Sequence, residues 1–189
     1  AMAVIAYQYR GELVDQIHRG HIAVTDHTGR ILWKLGDPER LTFARSSAKP
    51  LQAIPVAESG ALEHYGITPQ ELAVICSSHN GEPFHVKAVE SILHKAGLSP
   101  DQLCCGAEYP MYVPAEDALK IAGIPRAPIY CDCSGKHAGM LITAHHFGES
   151  LENYTALEHP VQQRILSVFA EMCGVETSEV QLAVDGCGV

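Results

Sequence analysis

Residues 45–53 read Arg-Ser-Ser-Ala-Lys-Pro-Leu-Gln-Ala, and the pattern of the chain changes at this stretch. Three segments before it have the composition and alternation of strands: Val4–Tyr9, Gln16–Thr25 and Arg30–Leu35. After it the patterns become mainly helical. Antiparallel strands followed by helices are typical of an α+β domain. We therefore predict a β-meander over residues 1–45 and a mainly helical body over residues 46–189.

Helix-start signals and apolar periodicity define the helical body. Thr68-Pro69-Gln70-Glu71 is a capping box with proline at the first helical position. The apolar run Leu72–Cys76 after it fits either a strand or the buried end of a helix. Ser99-Pro100-Asp101-Gln102 indicates a further helix start, and Glu179–Val184 is predicted as a strand. Longer helices are expected at Glu82–Ala96, Ala115–Ala122, Gly135–Phe147 and Pro160–Met172.

Two short motifs carry serine–lysine chemistry. Ser46 and Lys49 form S-x-x-K, which places a hydroxyl and an amine one helical turn apart. A neutral lysine amine in that position can take the serine proton and create an acylating nucleophile. Ser78 and Asn80 form S-x-N, the element that accompanies S-x-x-K in penicillin-recognising enzymes. The structural alternative is that each serine only caps a local turn or helix.

Two glycine-rich segments concentrate reactive side chains. They read Cys133-Ser134-Gly135-Lys136-His137 and Asp185-Gly186-Cys187-Gly188. Taken alone, Cys133 and Cys187 do not make a zinc site, because paired C-x-x-C elements are absent from the sequence. Buried inert cysteines are the default interpretation. Lys136 would be an unusual ligand, since an ammonium must lose its proton before it can coordinate a metal.

Composition excludes several classes of function. The chain has 189 residues, of which 47% are apolar and 19% charged, as is ordinary for a globular enzyme. The net charge is −9 and no cluster of lysine and arginine occurs, which argues against a nucleic-acid partner. No segment approaches the roughly 18–20 apolar residues of a membrane span. The first residues lack the features of a signal peptide, and seven cysteines fit reduced thiols in the cytoplasm.

The motifs together resemble the L-asparaginase II family, with the resemblance running from about Gly20 to the last residue. The matching segments are Arg45–Ala53, Ser77–Pro83, Cys133–Met140 and Asp185–Gly188. The resemblance implies a serine-β-lactamase-like fold and hydrolysis of L-asparagine to L-aspartate and ammonia. It also implies one zinc ion per chain, held by the equivalents of Cys133, Lys136 and Cys187. Cys131 is left out of this ligand set, because the geometry of C-x-C is tight.

The same resemblance predicts that residues 1–189 are the N-terminal portion of a longer domain. In this family the sheet joins N-terminal and C-terminal strands, and a second catalytic lysine lies further along the chain than residue 189. We therefore expect the C-terminal portion of the same protein to be a partner that completes the sheet and the site. An unpaired sheet edge in its absence would favour aggregation or a homodimer.

Each motif residue receives an expected role. Ser46 is the nucleophile, Lys49 is its base and Ser78 relays a proton to the leaving group. Asn80 is expected to bind substrate. The further substrate contacts considered are Glu82, Asp185 and His137. The two acids could pair with the substrate ammonium or act as local caps, and His137 could reach the substrate or fill a core position.

Three alternatives remain open at this stage. A glutaminase would differ by a pocket for one extra methylene, which is worth only about 1–3 kcal/mol. A penicillin-recognising hydrolase fits the motifs but not the missing export signal. A zinc-stabilised binding module, in which S-x-x-K is incidental, is the non-enzymatic alternative.

Overall fold

The computed structural model describes residues 2–189 and divides into two compact units. The first unit ends at Phe43, and the second runs from Ala44 to Val189. Small antiparallel sheets and helices make the chain a mixed α/β protein, which agrees with the predicted α+β class. Within residues 2–189, no helix has both the length and the apolar character needed to cross a bilayer.

Four strands form the first unit as two separate hairpins rather than one meander. The strands are β1 (Ala3–Arg10) paired with β2 (Leu13–Gly20), and β3 (Ile22–Thr25) paired with β4 (Ile31–Leu35), both antiparallel. The predicted strand Gln16–Thr25 is therefore wrong in its continuity, because it breaks at His21. The His21 ring accepts the Asp37 N–H at 2.6 Å, which holds the break in place.

Side chains of the first unit remain accessible on both faces of the hairpins. None of residues 2–43 is buried, and Leu13 and Trp33 are 77% and 52% exposed. Backbone ladders and turns therefore hold these hairpins, and their apolar residues do not form a core of their own.

Seven helices form the second unit, together with short 3₁₀ turns. They are α1 (Lys49–Glu58), α2 (Ala61–Tyr65), α3 (Pro69–Ile75), α4 (Pro83–Lys95), α5 (Val113–Ile121), α6 (Ser134–His146) and α7 (Pro160–Cys173). The four longer predicted helices are confirmed within one or two residues, which is the usual uncertainty of a helix end.

Helix α6 is the centre of this unit, and every residue from Ser134 to Ala144 is buried. A helix buried on all sides needs close neighbours, and two glycines one turn apart provide the room. A Cβ atom at Gly135 would clash with the backbone carbonyl of Val74, and one at Gly139 would lie 2.7 Å from Ile75 Cγ2. The end of α3 therefore rests against the first two turns of α6.

Three local predictions are settled by the structure. Leu72–Cys76 is the end of a helix rather than a strand, since α3 continues to Ile75. The start signal at Ser99 opens only a 3₁₀ turn, Pro100–Gln102. The predicted strand Glu179–Val184 is wrong: a 3₁₀ turn covers Thr177–Glu179, and residues 180–184 have no strand partner within the described chain. An extended segment without a partner forms no ladder.

Candidate active site

Two serine hydroxyls and one lysine amine form a hydrogen-bonded series. The Ser78 and Ser46 hydroxyl oxygens lie 3.2 Å apart, and the Lys49 amine donates to Ser78 Oγ in a short hydrogen bond. Among residues 2–189, Lys49 forms no direct hydrogen bond to Ser46, so Ser78 stands between them. Ser46 and Ser78 are exposed, whereas Lys49 is 3% exposed. The series thus leads from the surface to a buried amine.

The 3₁₀ turn Arg45–Ala48 presents Ser46 and turns Ser47 away. The Ser47 hydroxyl donates to the Ala44 carbonyl, and this bond occupies it locally. Arg45 has φ 52°, a left-handed conformation that is uncommon for a residue with a side chain. Such strain clusters at functional sites, where the surrounding structure holds it.

Asp132 is the charged neighbour of the buried amine. Its carboxylate lies 3.9 Å from Lys49 Nζ. Burial and the nearby Cys133 thiolate raise the pKa of Asp132 above its ordinary value. Whenever Lys49 is protonated, its buried ammonium needs a partner of opposite charge, and Asp132 lies close enough to provide it.

His79 anchors the loop that carries Ser78. Its Nδ1 accepts the Gly81 N–H at 3.1 Å, and its Nε2 lies 2.8 Å from the Ser134 hydroxyl in α6. In a neutral ring the proton is therefore on Nε2. Burial lowers the pKa of His79 to about 4, which keeps the ring neutral at pH 7. The backbone N–H of His79 also donates to the backbone carbonyl of Asp132 at 3.1 Å. The loop is therefore fixed to the segment that leads into α6.

A second cluster of reactive side chains lies at the N-terminal end of α6. Lys136 Nζ donates to Cys187 Sγ at 3.1 Å and to Asp185 Oδ2 at 3.3 Å. The thiols of Cys131 and Cys187 both lie beside the Cys133 sulfur. The structure thus brings together Cys133, Lys136 and Cys187, the three residues for which the family resemblance implied a common zinc ion.

The chemistry of this donor set fits zinc. Hydrogen bonds from Cys131 and Cys187 outweigh burial and lower the pKa of Cys133, which favours its thiolate form. Burial alone would lower the pKa of Lys136, but Cys187 and Asp185 raise it. Thiolate sulfur is a donor that zinc prefers, whereas the Lys136 amine could coordinate only after it releases its proton.

Among residues 2–189, the remaining predicted substrate contacts form no hydrogen bond with the serine–lysine series. The Asn80 carbonyl accepts the Tyr112 N–H at 2.8 Å, and Glu82 precedes α4 without a side-chain cap. His137 is completely buried, and its Nδ1 lies 2.8 Å from the Tyr154 hydroxyl. Asp185 belongs to the cluster around Lys136.

The sequence analysis missed Asp132 and His79. Both lie inside or beside the quoted motifs, so proximity to the motifs was the available signal. Their partners Lys49 and Ser134, however, are more than fifty residues away, and no local pattern indicates such contacts. His79 to Ser134 is one example.

A family model described as L-asparaginase II matches residues 6–189 of the chain. Comparison with curated proteins found no match.

Proposed function

We propose that this chain, which belongs to the L-asparaginase II family, hydrolyses L-asparagine to L-aspartate and ammonia through a seryl acyl-enzyme. The family assignment supports an asparaginase-type amidohydrolase with asparagine as its substrate. The seryl acyl-enzyme mechanism rests on one observation, the hydrogen-bonded series from the exposed Ser46 hydroxyl through Ser78 to the buried Lys49 amine.

In the first half of the reaction, Ser46 attacks the side-chain amide carbon of asparagine. Ser78 takes the Ser46 proton and passes its own to the neutral Lys49 amine, because Ser78 is the group in contact with both. The Ser46 N–H contributes to the oxyanion hole. The same proton returns through Ser78 to the leaving nitrogen, ammonia departs, and a β-aspartyl ester remains on Ser46.

In the second half, water attacks that ester. Lys49 again receives a proton through Ser78, and the Ser46 oxygen takes it back as the carbon–oxygen bond breaks. The products are L-aspartate and the free serine, so one water is consumed for each ammonia released. Asp132, 3.9 Å from Lys49 Nζ, balances the charge of the lysine whenever it is protonated.

The substrate contacts and the fold complete the proposal. Asn80 is proposed to hydrogen-bond the substrate, and Glu82 or Asp185 to pair with its ammonium. His137 would reach the substrate only if its buried side chain moved. The fold is proposed to be serine-β-lactamase-like on the strength of the family match.

Zinc is proposed to bind at the start of α6. Cys133, Lys136 and Cys187 would hold it, and bound zinc would tie α6 to residues 185–189. The serine–lysine steps above need no contribution from the metal.

Ammonia release by the full-length protein tests the proposal. With L-asparagine we expect turnover, and with L-glutamine a kcat/KM lower by about tenfold or more, the usual effect of one methylene. The Ser46 peptide of enzyme quenched during turnover should carry an aspartyl group. Turnover without this adduct would contradict the acyl-enzyme, and a preference for glutamine would favour a glutaminase. Absence of turnover on either amide would favour the binding-module alternative.

A further inference from the structure

Residues 108–127 form an arm that is closed at its base and exposed along its length. Glu108 and Ala127 exchange both of their backbone hydrogen bonds, at 3.3 and 3.1 Å, and α5 lies between them. Of residues 108–127, all of which the structure describes, Pro110 is the only one that is buried, and α5 buries no residue. Burial of the arm is therefore confined to Pro110.

Pro110 packs against Gly81, the residue that follows the S-x-N motif. Gly81 is itself buried and has φ +71°, a left-handed conformation that favours glycine. A Cβ atom at Gly81 would lie 2.8 Å from Pro110 Cβ and 2.9 Å from Pro110 Cα. The backbone of the loop thus touches the arm at a distance that only glycine allows.

A hydrogen bond joins the arm to the residue before Gly81. The Tyr112 N–H donates to the Asn80 carbonyl at 2.8 Å, so the arm holds the backbone of Asn80. Asn80 itself is exposed, and its side-chain amide is therefore accessible to a ligand. A fixed backbone that carries an accessible side chain is a preorganised contact group.

We propose that Pro110 and Tyr112 are positioning residues, which hold Asn80 so that its side-chain amide is oriented to bind asparagine. This inference rests on the proposed function, in which Asn80 hydrogen-bonds the substrate. Preorganisation reduces the entropy that is lost when substrate binds, so the arm acts on KM. His79 restrains the same loop through Ser134, beside the Ser78 relay, and its effect belongs to kcat.

Two substitutions of Tyr112 isolate the contribution of its backbone N–H. Tyr112→Ala removes the side chain and keeps the N–H, whereas Tyr112→Pro removes both. Tyr112 has φ −75°, a value that proline adopts without strain. The difference between the two variants therefore reports the hydrogen bond to Asn80.

Steady-state ammonia release by the full-length protein measures this difference. Tyr112→Pro should have a KM for asparagine about three- to tenfold above that of Tyr112→Ala, as expected for one hydrogen bond, and a kcat within about twofold. Equal KM values in the two variants, or a fall in kcat alone, would overturn the inference. A wild-type protein that releases no ammonia from asparagine would overturn the proposed function, and this inference with it.

The Asn80→Ala background separates positioning from a general structural role. If the arm acts through the Asn80 side chain, adding Tyr112→Pro to Asn80→Ala should change KM by less than about twofold. The same increase in both backgrounds would overturn the inference, because the effect would not pass through Asn80. A loss of folded protein lowers the apparent kcat and leaves KM as it is. If Tyr112→Pro does not fold, Pro110→Ala replaces it, and the exposed Pro125→Ala is the control that should leave KM unchanged.

Discussion

The hairpins of residues 2–43 and the helical unit of residues 44–189 use apolar residues in opposite ways. In the hairpins even large side chains such as Leu13 remain 77% exposed, whereas Leu141 and Ile142 in α6 are completely buried. Interior packing restrains side chains and excludes water, while a ladder of backbone hydrogen bonds restrains only the backbone. The serine–lysine series and the cysteine cluster both lie in the unit with a packed interior. We therefore expect substitutions in the helical unit to change activity and stability more than substitutions in the hairpins.

The largest effect is expected within the helical unit, at the nucleophile. Ser46→Ala should lower kcat/KM of the full-length protein for asparagine by about 10³-fold or more, because no acyl-enzyme can form. Ser47→Ala should stay within a few-fold of wild type, since the Ser47 hydroxyl is bonded to the Ala44 carbonyl. Initial rates of ammonia release measure both. Equal losses would remove Ser46 from its assigned role.

A lysine in each unit gives the next comparison. Lys49→Met should lower kcat by about 10²–10⁴-fold, because the buried amine that receives the proton is gone. Lys34→Met, in the exposed strand β4, should leave kcat unchanged. Steady-state kinetics compare the kcat of both variants with that of wild type. A kcat of Lys49→Met near that of wild type would count against proton transfer to Lys49.

A glycine in each unit compares the tolerance of the two regions. Gly135→Ala should destabilise the protein by about 1–3 kcal/mol, because its Cβ would meet the Val74 backbone, which cannot move aside. Gly20→Ala should change stability little, since its Cβ would lie 3.2 Å from the flexible end of the Ile5 side chain. Denaturant unfolding of both variants tests this, and similar costs would contradict the role assigned to the α3–α6 contact.

The smallest expected effect concerns ion pairs. Burial raises the pKa of Glu71, but hydrogen bonds from Lys95, Ser91 and Thr68 outweigh it and leave the pKa below its ordinary value. A carboxyl whose pKa is lower in the folded state stabilises the protein above its unfolded pKa, near 4.5, and loses this contribution as pH falls further. Glu71→Gln should cost about 1 kcal/mol at pH 7 and less at pH 3.

The hairpin pair Arg10–Asp15 is the matched control, because the Arg10 side chain is 82% exposed. Asp15→Asn should change stability by less than about 0.5 kcal/mol at either pH. Unfolding free energies at pH 7 and pH 3 compare the two variants. A cost of Glu71→Gln that does not depend on pH would show that its ionisation does not contribute.

Local features of the fold could be predicted from the sequence. The capping box at Thr68 predicted the start of α3, and the periodicity of residues 82–96 predicted α4 to within one residue at each end, because both signals are local. The strand predicted at Glu179–Val184 failed because a strand also needs a partner, which composition does not report. The break at His21 depends on its bond to Asp37, sixteen residues away.

The sequence by itself determined which residues are reactive and which motifs they share: S-x-x-K at Ser46, S-x-N at Ser78, and the cysteine segments at Cys133 and Cys187. Only the tertiary structure decided how these groups meet. Ser78, rather than Ser46, contacts the Lys49 amine, because His79 holds the Ser78 loop against α6. The close approach of α3 to Gly135 brings that loop to α6 in the first place. Such contacts join residues far apart in the chain, and they are set by the shapes of packed helices rather than by any local pattern.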